Sequence, residues 1–176
     1  MLFRSFNTLQ FEVGDARVLD LFAGAGTLGF EALSRGAASV VFVEAARPVC
    51  KLIDRNASEL GVSDRVRVIS EKVEKAGGML EGAGPFDIVL ADPPYLMGVE
   101  LDLLAGTWFD WSRVLAPGGK LYVEWGRTKS RFSELPERVE LPENGGALVK
   151  VREKHYGDSI LTTYQRQGSE GVTHDS

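Results

Sequence analysis

Apolar residues along the chain fall into short continuous runs, separated by stretches with helical spacing. Residues 17–22, Arg17-Val18-Leu19-Asp20-Leu21-Phe22, form the first such run and predict a buried strand that ends in a glycine-rich turn. Residues 26–35 have helical character and stop at Gly36. A second strand is predicted over 39–44. Residues 47–60 place Val49, Leu52, Ile53, Ala57 and Leu60 on one side of a helix that Gly61 stops. Residues 65–69 predict a third strand. Residues 72–80 predict a weaker helix interrupted by Gly77-Gly78, and the glycine-rich stretch 77–85 reads as a surface loop. A fourth strand over 86–91 halts at Asp92-Pro93-Pro94. Residues 99–114 read as one helix, Pro117-Gly118-Gly119 as a turn, and 120–125 as a fifth strand. Runs at 147–153 and 159–165 flank His155-Tyr156-Gly157-Asp158 and predict an antiparallel hairpin. The polar stretch 167–176 is expected to be disordered.

Strand and helix alternate in units of roughly 30 residues, which predicts an α/β fold with a mostly parallel sheet covered by helices on both faces. Such sheets bind ligands beyond the C-terminal ends of their strands. That rule selects three places: after Phe22, at Glu44 and at Asp92.

Composition narrows the classes. The 176 residues suit one domain, placed at 16–166 behind a short segment, 1–15. A net charge of -5 argues against a protein that holds nucleic acid by bulk positive charge. The single cysteine, Cys50, excludes an internal disulfide and a cysteine-based zinc site, and the two histidines, His155 and His174, do not suggest a metal centre. No apolar run approaches the roughly 20 residues that span a bilayer, and residues 1–17 lack a secretory pattern. The expected compartment is cytoplasmic.

Gly24-Ala25-Gly26-Thr27-Leu28-Gly29 is a G-x-G-x-x-G that follows a strand and opens a helix, the context in which such a loop binds a nucleotide-like ligand. Glycine allows the tight turn and the close approach of a ligand to backbone. Glu44 ends the next strand and can accept both ribose hydroxyls. These features leave both NAD and S-adenosylmethionine open. Asp20 favours the second, because a carboxylate near the loop suits a cationic amino group and repels a pyrophosphate.

Asp92-Pro93-Pro94-Tyr95 carries the second piece of chemistry. Two prolines fix φ and remove two N–H donors, so the carbonyls of the segment become rigid acceptors. Asp92 can accept one hydrogen of an exocyclic amino group and the Pro93 carbonyl the other, while Tyr95 stacks on the base. Two acceptors aim the nitrogen lone pair at a methyl donor and stabilise the positive charge that grows during transfer. No metal is required.

At these residues the chain resembles the RsmD family, bacterial small-subunit (16S) ribosomal RNA (guanine-N2)-methyltransferases. The likeness covers Val18 to Gly29, Glu31-Ala32-Leu33-Ser34-Arg35-Gly36-Ala37, Val41-Phe42-Val43-Glu44, Asp92-Pro93-Pro94-Tyr95, Tyr122-Val123-Glu124, and Lys154-His155-Tyr156-Gly157-Asp158 followed by Leu161-Thr162-Thr163-Tyr164. It implies a class I S-adenosylmethionine-dependent methyltransferase fold (Rossmann-like), with seven strands and an antiparallel C-terminal hairpin. It implies methylation of one guanine N2, with the target base flipped onto residues 92–95. The cofactor is then expected on Asp20, Phe22, Ala23, Gly24, Gly26, Thr27 and Leu28, on Glu44 and Ala45, and on Glu71, Lys72 and Val73. Two departures stand out. Members usually carry an Arg-Pro-Thr…Asp-Arg-Val-Arg-Glu segment before the first strand, whereas residues 1–15 match only its tail, which reads as a lost contact or a truncated start. After the third strand the family has Asp or Asn and a small residue, where this chain has Glu71-Lys72-Val73.

Two other functions compete: methylation of adenine N6 in RNA or DNA, and a catalytically silent RNA-binding protein. Trp108, Trp111 and Trp125 are expected to pack rather than stack on RNA, and Cys50 to be an inert core residue. Basic residues concentrate at Arg113, Lys120, Arg127, Lys129 and Arg131 and again at Lys150, Arg152, Lys154 and Arg166, while residues 134–143 are acidic. The resemblance implies ribosomal RNA as the partner, and the charge balance points to its meeting that RNA within an assembled or assembling small subunit, with weak affinity for naked RNA. A monomer with no membrane attachment is expected.

Overall fold

The computed structural model describes residues 13–94, 99–126 and 134–168. Five strands run parallel: β1 (Arg17–Leu21), β2 (Ser39–Val43), β3 (Val66–Ile69), β4 (Phe86–Ala91) and β5 (Leu115–Gly126). Three more, β6 (Arg138–Glu140), β7 (Ala147–Tyr156) and β8 (Ser159–Gln167), are joined antiparallel. The sheet order is β3-β2-β1-β4-β5-β8-β7-β6. The hairpin predicted near the C-terminus is β7–β8. The short edge strand β6, in the acidic stretch, is an eighth strand that the hydrophobic pattern did not show.

Both faces of the central parallel strands are buried, which explains their continuous apolar runs. Leu19, Leu21, Val89, Ala91, Leu121 and Val123 look to one side. There they meet α3 (Gly77–Ala83), α4 (Val99–Leu104) and α5 (Trp111–Val114) through Leu80, Leu103, Leu104, Trp111 and Val114. Val18, Val40, Phe42, Ile88, Leu90 and Tyr122 look to the other. That side is covered by α1 (Thr27–Ser34) and α2 (Arg47–Glu59), through Ala32, Leu33 and Ile53.

Three expectations are corrected. Residues 77–85 are not a loop: α3 occupies most of them, preceded by a 3-10 turn at Val73–Lys75. A Cβ on Gly77 would lie 2.4 Å from the Trp108 carbonyl oxygen, so this glycine lets the helix touch neighbouring backbone rather than breaking it. The single helix expected over 99–114 is two, α4 and α5, separated at Gly106, whose φ of 68° leaves the helical region. Pro117-Gly118-Gly119 lies inside β5, where Phe86 pairs with Leu115 and Ile88 with Lys120, a bulge rather than a turn between elements. The tryptophans pack as expected: Trp111 donates from Nε1 to the Leu103 carbonyl at 2.7 Å, and Trp125 to Thr162 Oγ1 at 2.9 Å.

Strands β2 and β3 step to one side of β1, whereas β4 and β5 step to the other. The crevice at this reversal, beyond the C-terminal ends of β1 and β4, is where a ligand fits.

Candidate active site

The loop after β1 is shaped by backbone before side chains. Phe22 has φ 58°, a left-handed conformation that costs a bulky residue about 1–2 kcal/mol, so the surrounding structure must hold it. Gly24 has φ 54°, and a Cβ there would meet nothing within 4 Å. Gly26, at φ 79°, opens α1. The third glycine has a different duty. A Cβ on Gly29 would lie 2.2 Å from the Phe42 ring, so it allows α1 to press onto β2.

Two carboxylates fasten this loop. Asp20 Oδ2 accepts the Gly29 N–H at 3.0 Å, satisfying one free donor of the first turn of α1. Glu44 Oε2 accepts the Gly24 N–H at 2.9 Å and Oε1 accepts the Ala46 N–H at 2.7 Å. Both Glu44 oxygens keep a lone pair for a further donor. The Cys50 thiol donates to the Glu44 carbonyl at 3.2 Å, so the cysteine is buried as expected and braces the same strand end.

A cleft of about 410 Å3 opens beside these groups. Its wall takes Phe22 and Gly24 from the end of β1, Val43, Glu44 and Ala45 from the end of β2, Glu71 to Glu74 from beyond β3, and Asp92 and Pro94 from beyond β4. The structure thus brings most of the predicted cofactor residues together with the Asp-Pro-Pro segment. Val43 and Glu74 join the wall without having been singled out, because an apolar strand residue and a surface acid carry no sequence signal. Asp20 is not in the wall; it lies beneath the loop, 1% exposed. Ala23, Gly26, Thr27 and Leu28 shape the loop without lining the cleft, and Pro93 is buried behind it. Lys72 does line it, and its N–H donates to Glu71 Oε1 at 2.8 Å. Tyr95 lies outside the described residues.

The site is rich in carboxyl groups. Burial raises Asp20 well above the usual carboxylate range, against the Gly29 hydrogen bond, and the nearby charges of Asp92 and Glu44 add to the rise. Asp92 is pushed up to about 6, by burial first and then by the charge of Glu124. Carboxylates held this way at strand ends are suited to a cationic ligand and to a group that becomes positive during reaction.

Over residues 4–165 the chain matches the family described as conserved hypothetical protein 95. Ribosomal RNA small subunit methyltransferase D of Escherichia coli K12 is 36% identical, over 92% of this chain and 74% of its own length. The chain belongs to this family, the RsmD family. The Haemophilus influenzae protein of the same name is 34% identical over 84% of this chain and 75% of its own. The solved structure of Escherichia coli yhhF superposes with a TM-score of 0.70 at 31% identity, covering 94% of this chain and 85% of that one.

The fold is that of class I methyltransferases, and the cofactor of the RsmD family is S-adenosylmethionine. The residues present fit it. Gly24 leaves open space where a side chain would stand, Glu44 offers fixed acceptors for ribose hydroxyls, and the buried carboxylates favour the sulfonium and ammonium charges.

Proposed function

We propose that this chain transfers a methyl group from S-adenosylmethionine to the exocyclic N2 of a guanine in small-subunit ribosomal RNA. The observation that carries the reading is the position of Asp92: it shares one cleft with Gly24 and Glu44, at the switch point of the sheet, in a field of buried carboxylates. Its relatives' name, ribosomal RNA small subunit methyltransferase D, supports the substrate.

S-adenosylmethionine supplies an electrophilic methyl on a sulfonium, which leaves as a neutral thioether when the methyl passes to nitrogen. The protein must then make a poor nucleophile competent, since the lone pair of an aromatic amine is delocalised into its ring. Asp92 accepts one amino hydrogen and the Pro93 carbonyl the other, which turns the lone pair out of the ring plane. The same carboxylate stabilises the positive charge on nitrogen before the extra proton leaves to solvent. Glu44 holds the nucleoside end of the cofactor, and Tyr95 is assigned the stacking surface for the flipped base. The substrate is ribosomal RNA within an assembled or assembling small subunit, on which the enzyme acts as a monomer.

The test is nucleoside mass spectrometry after incubation of small-subunit particles and their RNA with labelled S-adenosylmethionine. Label in N2-methylguanosine is expected. Label in N6-methyladenosine, or none, overturns the reading. Asp92→Ala should lower kcat by about 100-fold or more while cofactor affinity is retained.

A further inference from the structure

Glu124 is 5% exposed near the C-terminal end of β5. The β4–β5 ladder pairs Ala91 with Val123, so Asp92 and Glu124 stand level on neighbouring strands. Strand alternation puts Glu124 on the sheet face of Tyr122 and Leu90, the face that also carries Asp20. The Ser159 hydroxyl, at the start of β8, hydrogen-bonds its carboxylate. Its Oε2 is buried and has no partner among the described residues.

This arrangement works against folding. A buried carboxylate oxygen with no donor is costly, and here a second carboxylate stands beside it. Burial raises Glu124, and the charge of Glu124 raises Asp92 in turn. An apolar residue like its neighbours Val123 and Trp125 would serve the core better. An orphaned acceptor beside a second carboxylate is suited to a ligand that brings adjacent donors. Among the amino-bearing bases only guanine does so, because its N1–H sits next to its amino group. Adenine and cytosine present a ring acceptor beside theirs, and its lone pair would face a carboxylate.

We propose that Glu124 is the residue that selects guanine: its Oε2 accepts the N1–H of the target base while Asp92 holds the adjacent amino group. The inference rests on the guanine-N2 reading above and adds to it the source of base specificity. The energetic logic is that a site built to pair with a donor rejects an analogue without it far more strongly than a shape-fitting apolar pocket would.

The experiment uses the full chain and reconstituted small-subunit particles. The guanine found methylated is replaced by 2-aminopurine, which keeps the amino group on C2 but has an acceptor at N1. The wild-type enzyme is expected to lose about 100-fold or more in kcat/KM on the 2-aminopurine particle. Glu124→Gln, whose amide can turn its NH2 toward an N1 acceptor, is expected to narrow that preference to about tenfold or less, mainly by losing activity on guanine. Cofactor affinity, measured by calorimetry, should change by less than about threefold, because Glu124 is assigned to the base. Glu124→Ala is read the same way, so that a glutamine variant that fails to fold does not end the test. Equal wild-type activity on the two particles, or an unchanged preference in the variants, overturns the proposal. A wild-type enzyme that methylates no guanine N2 fails earlier, in the mass-spectrometric test, and overturns both readings.

Discussion

Asp92 concentrates a conflict between folding and chemistry in one side chain. Its folded-state pKa of about 6 stands above the ordinary 3.8, with burial as the main cause and the Glu124 charge second. Between those two values the folded protein binds a proton that the unfolded chain does not. By linkage, the contribution of Asp92 to stability therefore rises as pH falls through about 6 and levels off below 3.8. Activity has the opposite sign, because a protonated Asp92 no longer carries the charge that stabilises the developing cation. The rate on saturating cofactor should fall about tenfold per pH unit below pH 6. Whatever activity Asp92→Asn keeps should lack that inflection. The same variant should melt a few degrees higher than wild type at pH 8 and no higher at pH 4, a gain of roughly 1 kcal/mol after discounting for solvent screening. Calorimetric melts of both proteins from pH 4 to 8 check the sign. A variant with the same pH profile as wild type would remove Asp92 from the acceptor role.

The glycine loop and its strands show how far elements were legible. The G-x-G-x-x-G pattern located the loop, and the runs 86–91 and 39–44 located strands to within a residue, since a parallel strand buried on both faces leaves an unbroken apolar signature. The helical stretch 99–114 was legible, but helix α3 and the break between α4 and α5 were not. Gly77 and Gly106 look alike in sequence, yet one begins a helix that touches the Trp108 backbone and the other separates two helices at φ 68°. Tertiary contact decides between such uses, and periodicity does not record it. The site shows the same limit: Glu124 was visible as part of a motif, but its orphaned oxygen needed the β4–β5 register. Within the loop, two of the glycines predict separable defects. Gly29→Ala drives a Cβ into the Phe42 ring and Val40, at 2.2 and 2.7 Å, so it should cost about 2 kcal/mol and lower the melting temperature by ~6 °C. Gly24→Ala meets no atom but must hold φ 54°, at about 1 kcal/mol, and places a methyl where the cofactor approaches. It should weaken S-adenosylmethionine binding by tenfold or more with the smaller loss of stability. Calorimetry of binding and unfolding on both variants distinguishes them, and equal defects would mean that Gly24 serves packing alone.

Over the whole molecule, charge constrains how such a site meets RNA. The net charge is -5, and the basic clusters read from sequence are partly committed to the fold. Arg166 donates to the carbonyls of Ser112, Leu115 and Gly145, tying β8 to α5, the start of β5 and the segment before β7. Lys150, its side chain 11% exposed, pairs with Glu137 and Glu153. Arg113 faces Glu81 and Asp110, and Arg17 spends its guanidinium on the Ala83 and Pro85 carbonyls. Arg152 on β7 is exposed, while Arg127, Lys129 and Arg131 lie outside the described residues. Each phosphate neutralised by a protein cation adds about 0.7–0.9 to the slope of log affinity against log salt, so a surface that commits its cations internally gives a shallow slope. A slope of magnitude three or less is expected for naked small-subunit RNA, with weak binding at physiological salt. Methyl transfer should then be faster on assembled particles by about tenfold or more in kcat/KM, because a folded ribonucleoprotein presents the target guanine in one shape and adds protein contacts that do not depend on phosphate. Filter binding across a salt series, alongside turnover on RNA and on particles, measures both quantities. A steep slope with equal turnover on the two substrates would show that the acidic balance is overridden by a basic surface, and that phosphate contacts rather than the shape of the particle bring the base to Asp92.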